Sequence, residues 1–327
     1  MIDEILPDLY QIKVPLPRNP LKIINSYLIK GDGRFLIIDT GMNLKECVLA
    51  LESGLQKLNV NLNKTDFFVT HLHHDHMGLV STLATGESRV YFNQTETAIL
   101  TGLTGNLRWA KLLEFYVANG FPAEHLKTWM ANRPASLFGP KLTVPFTILL
   151  DGDKLEIGDY HFICIQTPGH SPCHTCLYEK ERKILVSGDH ILFDITPNIT
   201  YWPELDNSLR HYLQSLDKVY HLDVNLVLPG HRNWRHNHQK RIKELFEHHK
   251  SRLGEVIAAL ADGEKTAYEV APHIKWEISY NTWEQFPIEQ KYFAFGETIS
   301  HLEYLVAENK LKKGMVDKTI RYSLAYI

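Results

Sequence analysis

Apolar and polar residues alternate from Leu9 to Val14, the period of two expected of a half-buried strand. A second strand-like stretch, Asn25 to Lys30, is followed by a Gly31-Asp32-Gly33 turn. Next comes the apolar run Phe35-Leu36-Ile37-Ile38, which ends in Asp39-Thr40-Gly41. Strand, glycine-rich turn and strand together predict a hairpin. Leu44, Val48, Leu51, Leu55 and Leu58 then recur at helical spacing, predicting a helix over 44–58. Phe67-Phe68-Val69-Thr70 reads as a short buried strand, 75–84 as a helix and Val90-Tyr91-Phe92 as a further strand.

Residues 95–136 break this pattern. They are helical and loop-like, with Trp109, Phe115, Tyr116, Phe121 and Trp129 among them. The stretch reads as an insertion that either caps a pocket or packs its aromatics into a small core of its own. Strand-like segments resume at 141–150, 154–157, 160–166, 175–178 and 183–187. A helix is expected over 207–220, a strand at 225–228 ending in Pro229-Gly230-His231, and a long amphipathic helix over 239–260. The character changes after 264: two helical stretches (266–274 and 288–309, the second interrupted by Gly296) precede a β-like tail at 319–324. Helix, helix and hairpin suggest a small winged-helix-like module. The expected division is a catalytic domain over 1–240, with the insertion at about 95–136, and a C-terminal domain over 241–327.

Composition narrows the class. An apolar content of 44% over 327 residues is enough to bury a sizeable core without staples. The net charge of −3, from 35 basic and 38 acidic residues, gives no whole-protein field to draw in nucleic acid or an anionic membrane. No apolar run approaches the roughly 18 residues of a membrane span. The acidic start, Met1 to Asp8, has neither a basic region nor the long apolar run of a secretory signal, so a cytoplasmic setting is expected. Four cysteines are too few for a disulfide scaffold; Cys173 and Cys176 form a CxxC pair without a second pair, and read as buried thiols. Histidine is the outlier, at 18 residues.

The histidines cluster in Thr70-His71-Leu72-His73-His74-Asp75-His76-Met77-Gly78, an HxHxDH pattern. Side chains at i and i+2 share one face of an extended chain, so His71 and His73 point the same way off a strand end. Asp75 and His76 fall in the turn that opens the next helix, where a chain reversal aims them at a neighbouring point. His74 faces away. Three further candidates follow apolar runs and sit beside turn residues: His170 in Thr-Pro-Gly-His, Asp189 in Ser-Gly-Asp, and His231 in Leu-Pro-Gly-His. Glycine permits tight backbone geometry beside each, and loops at strand ends are where functional residues collect. His190, next to Asp189, is expected to pack.

HxHxDH followed by a His, an Asp and a His, and preceded by Asp-Thr-Gly, resembles the metallo-β-lactamase superfamily over about residues 8–240. The resemblance implies an α/β four-layer αβ/βα sandwich with two metal ions at one edge. It implies that His71, His73 and His170 bind the first metal, Asp75, His76 and His231 the second, that Asp189 bridges them, and that Asp39 orients a ligand from behind. Imidazole and carboxylate without thiolate suit Zn, Fe or Mn, and redox-inert zinc is the first choice. Two such ions roughly 3.5–4 Å apart share a water and lower its pKa toward ~7. The bridging hydroxide is then the nucleophile, with Asp75 holding its proton. Fold alone does not fix the substrate. Thr167-Pro168-Gly169-His170-Ser171-Pro172, with His174 close behind, resembles the glyoxalase II branch and implies a small thioester or ester. The layout, with its long His- and Lys-rich helix and winged-helix-like tail carrying Lys310, Lys312, Lys313, Lys318 and Arg321, resembles the lactamase-β-2-like proteins and implies the alternative, a phosphodiesterase on single-stranded RNA. The charge balance favours the small substrate over nucleic acid. A homodimer held through the tail fits the same layout, and a purely sensing role is disfavoured by the intact ligand set.

Overall fold

The computed structural model describes residues 1–101, 105–132, 145–277, 280 and 282–325. Seven strands pair in chain order in one sheet: β1 (Ile2–Leu6), β2 (Leu9–Pro15), β3 (Ile23–Lys30), β4 (Phe35–Ile38), β5 (Thr65–Phe68), β6 (Val90–Asn93) and β7 (Phe146–Leu149). The first four run antiparallel, and from β4 onward the pairing is parallel. The second sheet has the order β12-β11-β10-β9-β8, built from β8 (Lys154–Ile157), β9 (Tyr160–Gln166), β10 (Thr175–Glu179), β11 (Ile184–Gly188) and β12 (Leu226–Pro229). Its one parallel pair is β11 with β12.

Period-two alternation sorts side chains between layers. In β3, Tyr27 and Ile29 join Leu177, Ile184 and Val186 in the core between the sheets. Ile24 and Leu28 point the other way, toward α1 (Lys45–Lys57), where Cys47, Leu51 and Leu55 are buried. In the second sheet, Cys176, Tyr178 and Leu185 face outward onto α7 (Ser208–Tyr220) and the first half of α8 (His238–Ala259). Helix, sheet, sheet, helix is the expected four-layer α/β sandwich. The expected helix over 75–84 is instead two short ones, α2 (His74–Met77) and α3 (Val80–Leu83). Gly78 lies between them, where a Cβ would come within 2.5 Å of His74 O and 2.6 Å of Gly41 O. No helix among the described residues is long and apolar enough to cross a membrane.

The 95–136 stretch forms α4 (Gln94–Thr101), α5 (Gly105–Ala118) and α6 (Ala123–Asn132). Residues 133–136, and 141–144 of the strand expected at 141–150, lie outside the described residues. The insertion does not pack a core of its own. Tyr116, Phe121 and Trp129 join Val256 and Leu260 of the α8 region with Tyr292, Phe295 and Ile299 of α10 (Ile288–Ala307) in one apolar cluster. Trp129 stacks on Tyr292 with ring centroids 3.6 Å apart. The hairpin of β13 (Leu311–Val316) and β14 (Thr319–Leu324) closes the cluster with Leu311, Ile320 and Tyr322. Preceding α10 is the short α9 (Ala267–Val270), entered through a Thr266/Glu269 capping box. Gly296 does not interrupt α10 as its sequence suggests. It is there because a Cβ would collide with Thr200 Oγ1 and come within 2.8 Å of Tyr116 Oη.

A buried histidine pair joins α8 to α10. His301 Nδ1 donates to Glu297 O at 2.8 Å, so its Nε2 accepts from His249 Nδ1 at 3.1 Å. Burial, with Arg252 adding, pushes His301 down to about 3. Burial pushes His248 down to about 4, and Arg252 and Arg241 press the same way. A histidine depressed in the fold takes its proton in the unfolded chain first, at about 6.5. The stability it contributes is therefore present above pH 6.5 and is lost as pH falls toward its folded value. His301 is therefore expected to lower the unfolding free energy progressively as pH falls below 6.5. Denaturant unfolding at pH 7 and pH 4.5 should thus show a steeper loss in the natural chain than in His301→Gln; equal losses would contradict it.

Candidate metal centre

All seven candidate ligands lie at one edge of the sandwich, five on loops that leave strand ends and two, Asp75 and His76, on the short helix α2. His71, His73, Asp75 and His76 follow β5, His170 follows β9, Asp189 follows β11, and His231 follows β12. Because β4 and β5 run parallel, as do β11 and β12, their carboxyl ends open on the same edge.

Asp39 organises the first loop. It sits at the end of β4 with φ of 56°, a left-handed conformation uncommon for a residue with a Cβ. Its Oδ1 accepts from Thr70 N at 2.9 Å and its Oδ2 from Thr70 Oγ1 at 2.8 Å. His76 Nδ1 lies 2.7 Å from the same Oδ2, so it carries the proton and leaves Nε2 as a lone pair. The Thr70 hydroxyl, having donated to Asp39, accepts from His71 Nδ1 at 3.0 Å and frees His71 Nε2 in turn. His170 Nδ1 donates to Asn198 O at 2.9 Å, and His231 Nδ1 to Ile23 O at 2.7 Å. Four imidazoles thus present Nε2 inward, each with its tautomer set from behind.

The inward atoms fall into overlapping groups. His71, His73 and His170 bring ligand atoms within 4.8 Å of one another, as do Asp75, His76 and His231. His73 Nδ1 lies 2.8 Å from His71 Nε2 and 3.1 Å from His170 Nε2. Asp189 stands between the groups. Its Oδ1 is 3.6 Å from His76 Nε2, while its Oδ2 is 3.6 Å from His170 Nε2 and 3.5 Å from His231 Nε2. His76 Nε2, His231 Nε2 and Asp189 Oδ1 are fully buried and have no hydrogen-bond partner among the described residues. Orphaned buried acceptors are expensive, and a set of lone pairs turned on common points fits a cation.

Charge follows the same division. Burial pushes His71 well down, and His76 and His73 add to it; burial and His170 push His73 down to about 3. Both rings are therefore held neutral, the form in which an imidazole can bind a metal ion. Burial also opposes protonation of His76 and His231, but nearby carboxylates outweigh it. Asp39 and Asp189 raise His76 well above the ordinary value, and Asp189 leads in raising His231 to about 9. The carboxylates call for positive charge at these nitrogens, which a proton or a metal ion satisfies.

Glycines make room for this. A Cβ on Gly230 would lie 2.5 Å from Asp189 Oδ1 and 2.8 Å from His76 Cε1. One on Gly188, at φ of 47°, would lie 2.5 Å from His174 Nε2. That nitrogen accepts from Asp189 N at 3.1 Å, so His174 fixes the Asp189 backbone. His74 belongs to neither group. His190 packs between His174 and Tyr212. The four cysteines are free and buried, and burial pushes Cys164, Cys173 and Cys176 up to about 12, far from nucleophilic.

One supporting residue has no signal in the motif. Glu96, at the start of α4, is fully buried. Its Oε2 accepts from Leu72 N at 2.7 Å and its Oε1 from Cys173 N at 2.9 Å and from Ser171 Oγ. It therefore clamps the loop of His71 and His73 to the loop of His170. A lone glutamate in a stretch read as an insertion offers nothing by which its sequence could be singled out.

Residues 20–231, more than half the chain, match the family described as the metallo-beta-lactamase superfamily. Residues 253–325 match the metallo-beta-lactamase-like C-terminal domain. The probable metallo-hydrolase YqjP of Bacillus subtilis (strain 168) is 26% identical over 96% of this chain and 97% of its own length. The acyl-coenzyme A thioesterase MBLAC2 of Homo sapiens is 28% identical over 64% of this chain and 73% of its own. The crystal structure of the metallo-beta-lactamase family protein TTHA1429 from Thermus thermophilus superposes with a TM-score of 0.82 at 29% identity, covering 98% of this chain and 100% of that one. With the HxHxDH segment, the loops of His170, Asp189 and His231 and the two-sheet sandwich all in place, the chain belongs to the metallo-beta-lactamase superfamily and is a hydrolase of that fold.

Proposed function

We propose that this chain is a dinuclear, zinc-dependent hydrolase of small thioesters. The observation that carries the reading is Asp189, whose two oxygens face nitrogens of both ligand groups at 3.5–3.6 Å. On this reading His71, His73 and His170 would hold one ion and Asp75, His76 and His231 a second, with Asp189 available to both groups. Zinc bound there supplies Lewis acidity and a coordinated water with a pKa near ~7. Asp39 and the carbonyls of Asn198 and Ile23 hold His76, His170 and His231 in the tautomer that presents Nε2. Asp75 faces His231 Nε2 through Oδ2 at 3.5 Å, which leaves its other oxygen to accept the proton of the attacking water.

The thioester preference draws on the likeness to the acyl-coenzyme A thioesterase and on the walls of the site. Trp202 sets its indole 6.0 Å from the His73 ring and donates Nε1 to His170 O at 3.0 Å, giving an apolar face beside the centre. A nucleic-acid groove is less well supported. Lys313 pairs with Glu303 at 2.7 Å and Arg321 lies 3.6 Å from Glu269, so these tail cations are neutralised locally. Four buried free thiols suit a reducing, cytoplasmic setting.

Metal-loaded protein is expected to hydrolyse an acyl-coenzyme A or acyl-glutathione, and a chelator to abolish the turnover. Asp75→Ala should lose that turnover while keeping its circular dichroism spectrum. Two metals bound per chain without thioester turnover, but with cleavage of single-stranded RNA, would replace the thioester with a phosphodiester. Glu96→Ala leaves buried donors on both ligand loops unpaired and should cost about 2–4 kcal/mol in a denaturant melt, with reduced metal content. A stability equal to that of the natural chain would deny Glu96 its clamping role.

A further inference from the structure

His170 is held from behind by the C-terminal module. The carbonyl that accepts its Nδ1–H hydrogen bond belongs to Asn198, in the loop between β11 and α7. The Asn198 side chain is tied in turn to α10: Nδ2 donates to Glu297 Oε2 at 2.5 Å and to Phe293 O at 3.4 Å. Glu297 Oε1 accepts from Arg252 Nη1 of α8 at 2.5 Å. Arg252 is fixed on its other side by Lys275 O at 3.2 Å and by the Trp276 ring at 4.5 Å. Glu297 and Arg252 are 3% and 6% exposed. A buried ion pair is a poor way to gain stability over apolar packing of the same volume, so its presence points to a positional role.

Glu297 also brings a carboxylate oxygen within 4.8 Å of ligand atoms of His248 and His249. A cation there is disfavoured, because both carboxylate oxygens already accept from Arg252 and Asn198 and the guanidinium charge sits alongside.

We propose that Glu297 and Asn198 are positioning residues for His170, through which the C-terminal module sets the metal affinity of the site built by His71, His73 and His170. This rests on reading His170 as a metal ligand. Arg252 orients the Glu297 carboxylate, Glu297 anchors the Asn198 side chain, and the anchored Asn198 backbone fixes the tautomer and direction of the imidazole. Partners of this kind behind a ligand typically change affinity about ten- to a hundredfold.

The test is cobalt(II) titration of the metal-free, full-length chain, followed by visible absorption and by competition with a chelator. Asn198→Ala keeps the backbone carbonyl that His170 uses and removes only the tie to Glu297; Glu297→Gln keeps the size and removes the charge. The expected result in Asn198→Ala is a loss of about tenfold or more in affinity at one site, with altered absorption bands and a metal-free melting temperature close to that of the natural chain. Glu297→Gln should change the bands in the same direction. Unaltered bands and affinity in Asn198→Ala overturn the proposal, whatever Glu297→Gln does. So does a lowered melting temperature with unaltered bands, which is what a purely structural tie gives. His170→Ala separates the two levels: if its cobalt spectrum matches that of the natural chain, the ligand reading falls, whereas a changed spectrum there with none in Asn198→Ala overturns only the positioning role.

Discussion

One buried carboxylate sets the geometry on which the rest of the metal centre depends. Asp39 accepts the Thr70 amide, the Thr70 hydroxyl and the His76 Nδ1 proton. Those three bonds fix where the chain leaves β5 and which nitrogen His76 turns inward. Through the Thr70 hydroxyl they also fix His71. The left-handed backbone at Asp39 is a local strain that the surrounding structure over-determines, since its amide donates to Phe68 O at 3.0 Å and its carbonyl accepts from Ser26 Oγ at 2.7 Å. Every later ligand enters a space whose first wall is built in this way.

The same device recurs with different partners. His231 is aimed by Ile23 O, from the far sheet, and His170 by Asn198 O, from a loop braced by the C-terminal module. The imidazoles that converge on one edge are therefore held by Asp39, Thr70, Ile23 and Asn198, from separate parts of the chain. None of these supports is a ligand itself, yet each removes a tautomer or a rotamer that would turn a lone pair away. Close-packed glycines complete the arrangement by allowing backbones to approach where a methyl group would collide with Asp189 or His174.

The sandwich strands and the residues that converge at the candidate site were legible in the sequence because their signals are local. Period-two alternation marks a half-buried strand without knowledge of its partner, and HxHxDH places four side chains within six residues. Boundaries shifted where tertiary contact overruled local pattern: β5 ends at Phe68 because the chain must turn to meet Asp39, and the helix expected over 75–84 divides at Gly78, against Gly41. Glu96, Asn198 and Glu297 were not legible. Each acts through a hydrogen bond to a residue roughly 24 to 99 positions away, and nothing in the identity of a lone Glu or Asn announces such a partner. Gly296 was misread for the same reason. Glycine inside a helical pattern suggests a break, but here it answers to Thr200 and Tyr116, from remote parts of the chain.

The core shared by the insertion and the tail has a consequence for how the chain is made. Tyr116, Phe121 and Trp129 leave the ribosome well before Tyr292, Phe295 and Ile299, the residues that cover them. Until α10 has been made, a cluster of aromatic side chains has no permanent partner, although strands β1 to β6 are already available to pair. Nascent protein with exposed apolar surface of this kind is the natural client of chaperones and the natural seed of aggregates. A stalled or prematurely terminated chain would therefore not be a smaller enzyme; it would be one whose most adhesive surface is uncovered.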